Sequence, residues 1–225
     1  MSLEDHFAQF LALFSADLGA AGPGSDWTDQ DTFGLLGFRP KLYTEFISQL
    51  AWNSYNSGLV RFLLPRTKPS LLDWNSSLGW RQDWTEWQDR LVVFAYDWLG
   101  RQIAFDNHRL RDGEPMVAIL EPGTGQILEV PQTFAGFATI ELVKYQDAAL
   151  ATHFFEQWRS IGGNAPNETE CVGYKVPLFL GGQDSVDNLE IVDLEVYVSL
   201  CGQLEQQTRH LPNGTRIKGV RRKGV

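Results

Sequence analysis

Residues 177–190, PLFLGGQDSVDNLE, set a glycine pair, Gly181 and Gly182, just ahead of three carboxylates, Asp184, Asp187 and Glu190. Carboxylates grouped on a turn could move protons, hold a hard cation through oxygen, or present negative charge to a partner. Proton transfer or nucleophilic chemistry needs a second group, and the stretch holds no His, Lys or Cys. Glycine admits backbone conformations closed to other residues, Asp184 and Asn188 are turn formers, and Asp193 is a helix cap. The stretch therefore reads as a strand end turning sharply before a last helix, a frame and contact surface from which no turnover is expected.

Other groups with chemical potential fare no better. Asp26, Asp29, Asp31 and Gly34 imitate the start of a calcium loop, but Phe33 and Pro40 stand where oxygen ligands are needed. The four histidines, at 6, 108, 153 and 210, form no HxH or HExxH, and Cys171 and Cys201 form no CxxC, so no metal or other cofactor is expected. GxSxG, P-loop and GxGxxG motifs are absent. Tryptophans at 74, 80, 84, 87 and 98 could stack on sugars beside a carboxylate pair. Yet Trp80, Trp84 and Trp87 share helical spacing, which favours packing.

The elements that must position these residues follow from periodicity. Leu3, Phe7, Phe10, Leu11, Phe14 and Leu18 predict a first helix stopping at Gly19, and Pro40 opens a second that runs to Trp52. NSGLVRFLLP predicts a turn and a short strand. RLVVFAYDWLGRQIAFD and PMVAILEPGTGQILEV each predict a hairpin, the first turning at Asp97–Gly100. A short helix follows near 133–143, then one capped by Asp147 that passes Trp158 to Gly162. A last one, capped by Asp193, carries Leu194, Tyr197, Val198, Cys201, Leu204 and Leu211 on one stripe. Helices, strands, helices: the fold class is α+β, a central antiparallel sheet of hairpins packed against N- and C-terminal helices.

The formal charge of the 225-residue chain is −9, but the last ten residues hold five basic groups and no acid. Without them 14 basic face 28 acidic residues, a body near −14. Such a body repels nucleic acid and membrane surfaces and draws basic partners. The first residues lack a secretory pattern and the two cysteines suit a reducing compartment, so a cytoplasmic location is expected and the sequons at Asn75, Asn167 and Asn213 carry no meaning.

The run VGYKVPLFLGGQDSVDNLEIVDLEVYVSLCGQLEQQ, 172–207, resembles the C-terminal domain of the immunity proteins that accompany type VI secretion DNase effectors. The likeness rests on Pro177 to Gly182, Asp184, Asn188, Asp193, Val196–Tyr197 and Gly202–Gln203, and departs at Val198, where Trp is expected. RPKLYTEFISQLAWNSYNSGLVRFLLP and AYDWLGRQIAFD resemble a GAD-like N-terminal segment and, more loosely, the SUKH superfamily of Smi/Knr-type proteins. The resemblance implies a SUKH-like α+β region at 1–135, an immunity-type domain at 136–215 packed on it, and a basic tail at 216–225. It implies a non-enzymatic protein that binds a cognate toxin, commonly a nuclease, which an acidic surface would suit. The expected contacts are Asp184, Asp187 and Glu190 beside the glycine turn, and Asp97 and Trp98 at the hairpin tip. A Smi/Knr-like scaffold without a toxin, and a sugar-binding or hydrolytic domain, are the alternatives.

Overall fold

The computed structural model describes residues 2–23, 40, 42–65, 67–212 and 214–215. The acidic 26–34 loop, Asn213 and the basic tail lie outside these residues.

The fold is α+β. β1 (Val60–Phe62), β2 (Leu91–Asp97), β3 (Gln102–Arg111), β4 (Glu114–Glu121) and β5 (Gln126–Thr133) form a five-stranded antiparallel sheet in sequence order. Both predicted hairpins are present, β2–β3 and β4–β5. All seven residues of β2 are buried, as expected of a central strand covered on both faces rather than of one alternating in and out. One cover is aromatic. α1 (Leu3–Leu13) and α2 (Tyr43–Gln49) bring Phe7, Phe10, Tyr43 and Phe46 onto Phe94 and Phe105 of the sheet, with ring centroids 5.0 Å apart for Tyr43–Phe105 and 4.5 Å for Phe94–Phe105.

The other cover comes from α3 (Leu71–Trp74), a 3-10 turn at Trp80–Gln82 and α8, the final helix (Leu194–Thr208). Trp74 Nε1 donates to Gln102 (2.7 Å) and Trp84 Nε1 to the Val198 carbonyl (2.9 Å). Trp74, Trp80, Trp84 and Trp98 are buried and present no ring face to a sugar. Asn75, a sequon residue, is also buried. Its side chain pairs with the backbone of Val93 in both directions at a bulge of β2, filling the place a strand neighbour would take.

Between sheet and final helix the chain forms α4 (Phe134–Gly136), a π turn (Phe137–Glu141), α5 (Leu142–Lys144), α6 (Gln146–Leu150) and α7 (Thr152–Ser160). A two-stranded sheet, β6 (Glu170–Tyr174) with β7 (Leu189–Asp193), then leads into α8. Val172 N–H donates to the Trp98 carbonyl, tying β6 to the β2–β3 turn. One contiguous apolar core takes in residues from Phe7 to Cys201. Cys171 and Cys201 are free and buried within it, and burial pushes the Cys201 thiol up to about 12.

Several boundaries differ from expectation. α1 opens on a Ser2–Asp5 capping box but ends at Leu13, because Ser15 and Ala16 pair with Asn56 and Tyr55; Leu18 is left exposed. α2 starts after Leu42, which has φ +64°, and ends before Trp52. The predicted helix from Asp147 to Gly162 is split at Ala151 (φ +49°) into α6 and α7. β6 and β7 were not predicted as a pair. Leu211 lies beyond α8 and is exposed, while the rest of the predicted stripe is buried.

Asp193 caps α8 by accepting from Val196 N–H (2.9 Å). At Gly202 an added Cβ would stand 2.7 Å from the Asp83 carbonyl and 2.7 Å from Trp84 Nε1. Alanine brings about 1 kcal/mol of helix propensity, against overpacking that costs about 1–3 kcal/mol on a rigid backbone neighbour. Gly202→Ala is expected to lower the urea midpoint; an unchanged or raised midpoint would show that the turn before Trp84 gives way.

Midway along β3, the buried Asp106 accepts from Arg90 Nε (2.8 Å) and His108 N–H (3.1 Å), with Arg109 at 3.6 Å. Burial alone would raise its pKa, but these donors outweigh it and hold the carboxylate below its ordinary range. A depressed carboxylate adds stability above its unfolded pKa that is lost as pH falls through the folded one. The stability gap between wild type and Asp106→Asn should therefore be widest near pH 7 and close on acidification below about pH 4, the ordinary Asp range, as read by urea titration at each pH.

Candidate functional site

Four turns meet at one edge of the molecule. In the β2–β3 turn, Asp97 accepts from the N–H groups of Leu99 (3.1 Å) and Arg101 (3.0 Å) and from Arg101 Nε (2.6 Å). Gly100 (φ +71°) lets the backbone turn directly over Cys171, whose Sγ would stand 2.8 Å from an added Cβ. The Arg101 guanidinium continues to Glu121 at 3.1 Å and to the Ala149 carbonyl at 3.0 Å. Trp98 Nε1 donates to the Leu150 carbonyl (2.9 Å), and its ring packs on Phe154 and Phe155. The break at Ala151 thus aims the last carbonyls of α6, which a helix end leaves without intrahelical partners, at two donors of the β2–β3 turn.

Asp97 and Trp98 are each 1% exposed. The expectation that they stand at an exposed hairpin tip does not hold: the tip is folded under α6, α7 and β6, and both side chains are committed inward. Burial pushes the Asp97 carboxyl up against the opposing pull of Arg101.

The glycine stretch lies across the same edge. It follows two 3-10 turns, Leu178–Leu180 and Val186–Asn188, between β6 and β7. Gly181 takes φ +88° with open space around it, whereas a Cβ on Gly182 would collide with the Val176 carbonyl oxygen. The loop closes on Asn188, whose amide accepts from Val176 N–H (3.0 Å) and donates to the Val176 and Gln183 carbonyls (2.9 Å each). Leu178 N–H donates to the Gly123 carbonyl, docking the loop on the β4–β5 turn. Asp184, Asp187 and Glu190 are all exposed. Only Asp184 turns into the junction, where it accepts from the Tyr174 hydroxyl at 2.6 Å. Burial, and then this carboxylate, push the Tyr174 hydroxyl far above the usual phenol range, which fixes it as a donor.

The junction encloses a cleft of about 620 Å3. Arg101, Glu121, Asp147, Tyr174 and Asp184 supply its polar wall; Leu99, Phe154, Leu178 and Val186 supply its apolar one. Asp147 accepts from His153 N–H at 2.7 Å and from Thr152 Oγ1 at 3.2 Å, so it caps α7 across the break instead of opening one long helix. That N–H first, then Thr152, lower its pKa. Each carboxylate is oriented by a protein donor and keeps further lone pairs free. Arg101 turns its guanidinium inward to Asp97, Glu121 and Ala149, so the charge presented at the mouth is negative. Such a cleft suits recognition of a cation carried on an apolar stem. Among the described residues, no group of three or more His, Cys, Asp or Glu is placed to hold a metal ion, and no helix is long and apolar enough to cross a membrane.

Sequence reading singled out Asp184 in this cleft and missed Glu121, Tyr174 and Arg101, and it treated Asp147 only as a cap. A signal existed: Glu121 directly precedes Pro-Gly-Thr-Gly, a tight turn that must project its first side chain over the sheet edge.

Removing one member of a buried ion pair leaves the other charge uncompensated and costs about 3–5 kcal/mol. Asp97→Ala is expected to lose stability on that scale by denaturant unfolding, whereas Asp187→Ala should stay within about 0.5 kcal/mol, as surface changes do. A small effect at Asp97 would show that Arg101 can be held by Glu121 and Ala149 alone.

Comparison with known proteins adds a family to this geometry. No curated protein matches the chain. A solved structure, "Crystal structure of Atu4351 from Agrobacterium tumefaciens", superposes with a TM-score of 0.56, covering 88% of this chain and 88% of that one at 15% identity, a likeness of fold. Residues 136–205, which hold α6, α7, β6, β7 and most of the cleft wall, match the family model described as "T6SS immunity protein Tdi1, C-terminal".

Proposed function

We propose that this protein is a bacterial immunity protein that binds and neutralises a cognate toxin, a nuclease effector delivered by a type VI secretion system. The observation that carries this reading is the family match over 136–205. The structure is compatible with it in two respects. The matched segment contains an exposed carboxylate stretch and most of a cleft whose mouth is anionic. A nuclease must present cationic surface to its phosphate substrate, and an acidic protein of net charge −9 can occupy that surface.

On this reading the protein acts by occupancy and without turnover, in the cytoplasm of the cell that makes it. Asp184, Asp187 and Glu190 are the contact carboxylates. Asp97 and Trp98, being buried, serve by holding the turns that present the contact surface.

The test is survival of a bacterial host that expresses the C-terminal domain encoded by the neighbouring reading frame, with and without this protein. Rescue together with a complex that co-elutes in size-exclusion chromatography is the expected result. Killing that continues at full expression of the folded protein would overturn the reading.

A further inference from the structure

The cleft among the four turns has chemistry that the immunity reading leaves unassigned. It is a concave site of about 620 Å3 with carboxylates at its mouth and an apolar wall from Leu99, Phe154, Leu178 and Val186. The carboxylates Glu121, Asp147 and Asp184 come from three different elements. Each is held by a donor of the protein itself, Arg101, His153 N–H and Tyr174 respectively, so its direction is set before any partner arrives. The one guanidinium in the wall is spent on Asp97, Glu121 and the Ala149 carbonyl. An incoming cation would meet acceptors while its stem lay on aliphatic and aromatic surface, the arrangement that long basic side chains favour. Independently, the segment matched to the immunity family supplies most of this wall, and it also holds the exposed Asp187 and Glu190, which lie outside the cleft lining.

We infer that the cleft is the socket for a basic side chain, arginine or lysine, projecting from the toxin. The inference rests on the immunity reading and deepens it by naming the place on this chain and the chemistry of the partner group. A single anchor seated in a pre-oriented pocket is the kind of contact that dominates an interface, with Asp187 and Glu190 acting from the rim on the rate of encounter.

The test uses the full chain and the toxin domain encoded by the neighbouring frame, with affinity measured by calorimetry. Ala148 lines the cleft, is exposed and carries no functional side chain, so Ala148→Arg places a cation at the mouth without removing any hydrogen bond. Gln9→Arg on α1, outside the cleft, adds the same charge elsewhere. Ala148→Arg is expected to weaken binding about a hundredfold or more, since like charges juxtaposed at an interface cost several kcal/mol, and Asp184→Asn about tenfold. Gln9→Arg should stay within about threefold, and the melting temperatures of Ala148→Arg and Gln9→Arg should match that of wild type. If wild type binds and Ala148→Arg binds equally well, the socket is overturned while the immunity reading stands. If wild type neither binds nor rescues, that reading falls and the socket with it.

Discussion

The arrangement hangs on the ion pair between Asp97 and Arg101. Two opposite charges four residues apart are taken out of water in a turn, and such a pair is tolerable only when its remaining hydrogen-bonding capacity is met. Here it is met by the neighbours that the fold must assemble: the N–H groups of Leu99 and Arg101 for the carboxylate, Glu121 and the Ala149 carbonyl for the guanidinium. One arginine thereby joins the β2–β3 turn, the β4–β5 turn and the end of α6. The break at Ala151 lies at the same point, and the last two carbonyls of α6 accept from Arg101 and Trp98.

The same economy explains why the cleft is anionic at its mouth in a region that contains an arginine. Satisfying the buried pair consumes the positive charge in the interior, while Glu121 Oε2 meets only the neutral Thr124 hydroxyl (3.2 Å) and keeps its charge toward the mouth. Tyr174 does likewise for Asp184. The site's sign is therefore a by-product of how the turns are pinned, and its geometry inherits their rigidity.

Much of this was legible in the chain. The apolar repeat of α1, the two hairpins around Asp97–Gly100 and Pro122–Gly125, and the Asp193 cap of α8 are local signals, and each element is present. The misses share a cause. Leu18 and Leu211 satisfy a helical stripe on paper, but long-range backbone pairing at Ser15 and the end of packing beyond Thr208 stop the helices sooner. Ala151 carries no mark of a left-handed residue; the contacts beside it, Arg101 to the Ala149 carbonyl and Trp98 to the Leu150 carbonyl, come from some fifty positions away. β6 and β7 are five residues each, and Gly173 sits in one because Tyr197 leaves no room for a side chain. Asp97 and Trp98 read as an exposed tip because a turn in isolation is exposed, and nothing local announces the helices that cover it. For the site, the glycine loop could be read, but the residues that share the cleft with Asp184 come from segments as distant in sequence as Leu99 and Arg101.

The hydrogen bond from Val172 to the Trp98 carbonyl gives the molecule an unusual kind of indivisibility. The matched family segment begins at 136, yet its first strand is laid against a turn made by residues 97–101, and its second helix is pinned by an indole and a guanidinium from that turn. Chain boundaries and cohesive units do not coincide. A recombination event that exchanged the C-terminal segment between relatives would separate Leu150 from Trp98 and Ala149 from Arg101, so inheritance of the hairpin and of the segment should be linked even though only one of them lies in the family match.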